Sequence, residues 1–89
     1  MAEMYDIEIT VTSQKGTCGA GHKVGDKWII GSATPGGFCG LAYHVLYPDL
    51  RMFRFGGILP WTKDPDVCQL ACPDNENPVV FQLKRIKNK

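Results

Sequence analysis

This 89-residue chain predicts an α+β fold, with a small, mostly antiparallel sheet of about four strands packed on one main helix. Three observations carry that expectation. Residues 5–12 alternate, with Tyr5, Ile7, Ile9 and Val11 on one side and Asp6, Glu8, Thr10 and Thr12 on the other. Period two in β-branched residues is the pattern of a half-buried strand. Phe38, Leu41, Ala42, Val45 and Leu46 fall at i, i+3, i+4, i+7 and i+8, the stripe of an amphipathic helix. Two further apolar runs, residues 67–71 and 79–86, flank the turn residues Cys72-Pro73-Asp74-Asn75.

The elements follow in chain order. After the first strand, residues 13–21 form a loop with Gly16, Gly19 and Gly21 that holds Cys18 and leads to His22. Val24-Gly25-Asp26 reads as a turn, and residues 27–30 as a second strand stopped by Gly31. Thr34 can cap the helix with Pro35 at its first position, or Gly37 can start it later. Pro48 should end the helix or start a second short turn, because the residue before a proline avoids the α region. Residues 49–55 suit helix or strand, and Gly56-Gly57 breaks either. Residues 67–71 and 79–86 are the last two strands, the final one facing inward through Val79, Phe81 and Leu83.

The length sets one domain, residues 1–89, burying roughly 60–65% of the surface its unfolded chain exposes. Ten Lys and Arg against nine Asp and Glu give no basic surface, so no nucleic-acid partner is expected. The one basic cluster, Lys84, Arg85, Lys87 and Lys89, reads as a solvated strand end or a weak anion or RNA contact. Residues 1–6 carry Glu3 and Asp6 and lack an apolar core, unlike a secretory signal. No run has membrane-spanning length, so the expected compartment is the cytoplasm. In a reducing cytoplasm four cysteines point to metal, redox chemistry or buried thiols.

Cys18-Gly-Ala-Gly-His22 offers a thiolate and an imidazole, both suited to zinc or iron, on a loop flexible enough to aim them together. His22 could instead hold Cys18 in its nucleophilic form, or the glycine loop could include both by chance. Cys39 lies at the helix N-terminus, where backbone N–H groups favour a thiolate, although a buried thiol there could simply pack. Cys68 and Cys72 on a straight strand share a face about 13 Å apart at roughly 3.3 Å per residue. That exceeds the ~7 Å span of a disulfide, so Cys68 reads as core and Cys72, at the strand end, as the candidate. His44 reads as a hydrogen-bonding helix residue, and Trp28 and Trp61 as core or interface aromatics. Asp64, Asp66, Asp74 and Glu76 look like solvated turn formers. The apolar segment Phe53–Trp61 could pair with a second copy of the chain. Phosphate-loop, dinucleotide and nucleophile-elbow motifs are absent.

Nearly the whole chain resembles a family of small, uncharacterised proteins of anaerobic bacteria and archaea. The likeness rests on residues 18–26 (CGAGHKVGD), 34–39 (TPGGFC), 42–48 (AYHVLYP), 55–57 with Pro60-Trp61, 71–74 (ACPD) and 77–81 (NPVVF). Cys18, Cys39, Cys72, His22 and His44 fall within those motifs and Cys68 outside them. The resemblance implies a site of three cysteines and a histidine. The leading expectation is therefore a metal or iron–sulfur protein with Cys18, Cys39, Cys72 and His22 as ligands to zinc or a cluster. The alternatives are a thiol redox or sulfur-transfer enzyme, with Cys39 or Cys18 as nucleophile, and a non-catalytic oligomeric binding module.

Overall fold

A computed structural model describes residues 4–33, 36–74 and 76–86. Four strands and one helix follow in the order β1 (Asp6–Gln14), β2 (Lys27–Ile30), α1 (Gly40–Arg54), β3 (Val67–Ala71) and β4 (Val79–Ile86). The strands make a single sheet in the order β2-β1-β4-β3. Every neighbouring pair is antiparallel. The α+β expectation holds, and α1 packs on the central strands β1 and β4.

Period two explains the sheet. Ile7, Ile9 and Val11 of β1 are buried, as are Val79, Phe81 and Leu83 of β4. The register sets Leu83 between Ile9 and Cys68, and Phe81 between Val11 and Leu70. These side chains form one inward layer, met from above by Ala42, Leu46, Leu50 and Phe53 of α1. Each large apolar side chain so buried contributes about 1.5–3 kcal/mol. A shift of register between Val11 and Ser13 bends β1, which keeps pairing with β4 through Gln14 before the Cys18 loop begins.

The helix departs from expectation in three ways. It starts late, with Cys39 as N-cap (Thr34 and Pro35 lie outside the described residues). It also runs through Pro48 to Arg54. Proline removes the bond to the His44 carbonyl, but Pro48 and His44 are both exposed, so water can satisfy that carbonyl. Beyond it Leu50 and Phe53 are fully buried, which holds the second half in helix. The third departure is in the buried stripe, which is Ala42, Leu46, Leu50 and Phe53, while Leu41 and Val45 are exposed on the flank. Gly56, at φ 87°, ends the helix: Gly56 N–H donates to Phe53 O and Gly57 N–H to Met52 O, a Schellman closure.

Arg85 corrects the solvated-cluster reading of the C-terminus. Its side chain continues the inward face of β4 after Leu83 and is buried. It pairs with Asp66 at 3.0 Å and donates to the carbonyls of Phe53, Gly57 and Pro65 at 3.1, 2.6 and 2.7 Å. Its guanidinium also lies 4.7 Å from the Phe53 ring centroid. Arg85 thus ties the irregular 56–66 connection to the sheet, and Asp66 is its ion-pair partner rather than a solvated turn former. Lys87 and Lys89 lie outside the described residues. Phe53 is core, whereas Phe55, Ile58 and Trp61 are exposed, Trp61 by 76%. Among the described residues no helix is long and apolar enough to cross a membrane.

Candidate functional site

The Cys18 loop is a built turn. Gly21 N–H donates to Cys18 O at 2.9 Å, and Gly21 takes φ 80°, which favours glycine. With its amide oriented to satisfy both neighbours, Gln14 donates to His22 O at 3.1 Å and accepts from Cys18 N–H at 3.2 Å. The turn throws His22 into the core, where it is 4% exposed. Its ring lies 4.8 Å from Trp28, 5.5 Å from Phe38 and 6.2 Å from Phe81. Trp28 and Phe38 also meet edge-on at 4.6 Å.

His22 Nε2 accepts the backbone N–H of Cys39 at 2.9 Å. Accepting there places the proton of the neutral ring on Nδ1. A neutral imidazole bound to metal through Nδ1 carries its proton on Nε2, and would then confront the Cys39 donor with a second donor. His22, expected as the fourth ligand, is therefore placed instead as the group that fixes the start of α1. Cys39, as N-cap, accepts the Tyr43 N–H through its carbonyl at 2.9 Å and makes no side-chain cap. Its sulfur is left half-buried and uncommitted.

Cys72 follows the last residue of β3. Its N–H donates to Val79 O at 2.9 Å, and its Sγ accepts the Val79 N–H at 3.3 Å. The turn after it is organised by Asp74. Oδ1 of Asp74 accepts from the N–H groups of Glu76 and Asn77 at 3.1 and 3.2 Å, and these bonds hold its carboxyl below the usual carboxylate range. Asn77 Nδ2 donates to the same carboxylate, while Asn77 Oδ1 accepts the Thr17 N–H at 2.9 Å. Gly16, at φ 67°, packs against that amide with no room for a Cβ. Asn77 thus fastens the Cys18 loop to the Cys72 turn. Sequence reasoning missed this tie, for which the Asp74-x-x-Asn77 spacing was the available signal.

These contacts bring three of the four predicted ligands together. Cys18, Cys39 and Cys72 line one cavity of about 290 Å³ with Leu41, Asp74 and Asn77. The expectation that Cys68 stands apart also holds. It is in the core, and its thiol is pushed up to about 11, first by burial and then by the Asp49 charge. His44 is exposed and borders a different groove. All four cysteines are free thiols. Among the described residues no group of three or more His, Cys, Asp or Glu side chains is arranged to hold a metal ion.

Comparison of the chain with known protein families, curated proteins and solved structures gives no match. What the pocket can do follows from its own chemistry. Three thiols and a carboxylate around a small cavity make a soft, electron-rich site. Leu41 supplies an apolar wall, and among the described residues that line the cavity none is basic.

Proposed function

We propose that this is a small iron–sulfur or metal-binding protein whose centre is held by the thiolates of Cys18, Cys39 and Cys72. The supporting observation is one cavity lined by three cysteines from three separate segments. Thiolates are the ligands that select zinc and iron–sulfur clusters. No three such side chains converge on one ion among the described residues, which favours a cluster, whose metal atoms are spread out, over one zinc ion. Three thiolates leave one position without a protein sulfur, where an external ligand can bind. His22 positions the Cys39 backbone, and Asn77 positions the Cys18 loop. The test is iron, sulfide and zinc analysis of protein purified without oxygen. Bound iron and sulfide, retained in Cys68→Ser and lost in Cys18→Ser, Cys39→Ser and Cys72→Ser, is the expected result. Zinc without sulfide identifies the single-ion form, and absence of all three sinks the reading.

A second reading is thiol exchange, favoured by Val79 N–H donating to Cys72 Sγ and by Cys39 at the first turn of α1. The Cys39 thiolate would attack one sulfur of a substrate disulfide and expel the other as a thiol. Cys18 or Cys72 would then displace the bound sulfur, so two electrons pass to the substrate and an internal disulfide remains. Mass analysis after incubation with a small disulfide separates the two readings. Loss of two hydrogens only when Cys39 is present supports exchange.

Self-association is supported by the exposure of Phe55, Ile58 and Trp61. Sedimentation of wild type against Trp61→Ser tests it, and a monomer at high concentration counts against it.

A further inference from the structure

Arg51 and Arg54 stand in the last turn of α1. Arg54 is only 8% exposed. Buried arginines are ordinarily paired with a carboxylate. Arg54 has no such partner among the described residues, where the one ion pair joins Arg85 to Asp66. Arg54 Nε donates to Tyr5 O at 3.3 Å, and Arg51 Nη1 donates to Tyr47 Oη at 3.4 Å. Both guanidinium carbons lie against one ring, 5.1 and 5.6 Å from the Phe55 centroid. Two like charges are therefore neighbours, with donors to spare. Compensation of the helix dipole explains a basic last turn. It does not explain why one of the two is buried.

Both arginines line a cavity of about 200 Å³ with Ser32 and Tyr47. A wider groove of about 500 Å³ shares Ser32 and Tyr47 and continues along α1 past Tyr43 and His44. The rings of Tyr43 and Tyr47 lie 5.6 Å apart and form an aromatic wall. Asp6 approaches Gly31 at the rim and has no ion pair with either arginine. This groove follows a different flank of α1 from the cysteine cavity, and the two share none of these residues.

We infer that this groove binds a small organic anion, its carboxylate or phosphate between Arg51 and Arg54 and its planar body along Tyr47 and Tyr43. Arginine presents paired donors that match either anion. The aromatic wall gives a planar ring a stacking surface.

The test is an amide-resolved NMR titration with inorganic phosphate, benzoate and AMP. Saturable shifts are expected at Ser32, Tyr47 and Arg51, with the Cys18 loop unmoved. Arg51→Gln alters an exposed side chain and should weaken binding about tenfold, the equivalent of one charge-assisted hydrogen bond. Tyr47→Ala should weaken benzoate or AMP and spare phosphate. Benzoate binding tighter than phosphate marks a carboxylate ligand, and AMP tighter than both marks a phosphorylated one. The inference is overturned if none of the three saturates, if shifts spread evenly over all basic residues and vanish with salt, or if Arg51→Gln leaves affinity unchanged.

Discussion

His22 Nε2 and the Cys39 N–H, 2.9 Å apart, join the loop after β1 to the first turn of α1. The bond satisfies one of the free N–H groups that every helix start leaves over. His22→Ala removes this acceptor and opens a hole between Trp28, Phe38 and Phe81. The expected loss is about 2–4 kcal/mol in urea denaturation. Alkylation of Cys39 in the folded variant should also speed up, because its backbone is no longer held.

Asn77 plays the same part for the Cys18 loop. Asn77→Ala releases the Thr17 N–H and frees the loop from the Asp74 turn. The substitution leaves every thiol in place; if the cavity holds a centre as proposed, retention of iron or zinc should weaken by roughly 10–100-fold, the usual effect of losing a group that orients ligands. A competition titration with a chelator measures it. Unchanged retention would show that the loop is held by other contacts.

Removal of Arg85 leaves four acceptors without their donor: Asp66 and the carbonyls of Phe53, Gly57 and Pro65. Arg85→Ala should cost about 3–5 kcal/mol. Arg85→Lys should recover little of this, since a single ammonium cannot span the same fork. Chemical denaturation of the two variants reports both numbers, and full recovery by lysine would contradict the geometry.

The core thiol makes stability fall at alkaline pH. Cys68 is raised from 9.0 to about 11 in the folded protein. Below the unfolded value both states keep the proton, and stability is unaffected. Between about 9 and 11 the unfolded chain ionises first, so the folded state loses ground as pH rises. The full effect approaches about 2–3 kcal/mol. Cys68→Ala should lack this part of the slope when compared with wild type. In folded protein freed of metal, at neutral pH, iodoacetamide should modify Cys18, Cys39 and Cys72 and spare the buried Cys68.

The strands were legible because their pattern is local. Ile7, Ile9 and Val11 announce β1 whatever the rest of the chain does, and residues 67–71 and 79–86 are found where their patterns lie. Arg85 continued the inward set of Val79, Phe81 and Leu83 by the same period, but a charged residue ends a hydrophobic count unless its partners are known. Those partners lie 19 to 32 residues away. The helix past Pro48 hid for a related reason. A local penalty was visible, while the burial of Leu50 and Phe53 that offsets it is tertiary. Of the site, the separation of Cys68 followed from strand geometry. The engagement of His22 with Cys39 did not, because a glycine loop gives no local sign of where its last residue points.

The central pair of the sheet is β1 with β4, the first and last of the four described strands. Contacts of such long sequence separation form late and slowly. On the ribosome, β1 waits for its central neighbour until residues 79–86 have emerged. Cys18 and Cys39 are translated before Cys72, so the three thiols cannot share their cavity until β3 and β4 have paired. Any centre that the three thiols hold would form only after residues 79–86 have emerged, and premature oxidation of the earlier thiols is the hazard that this order of assembly creates.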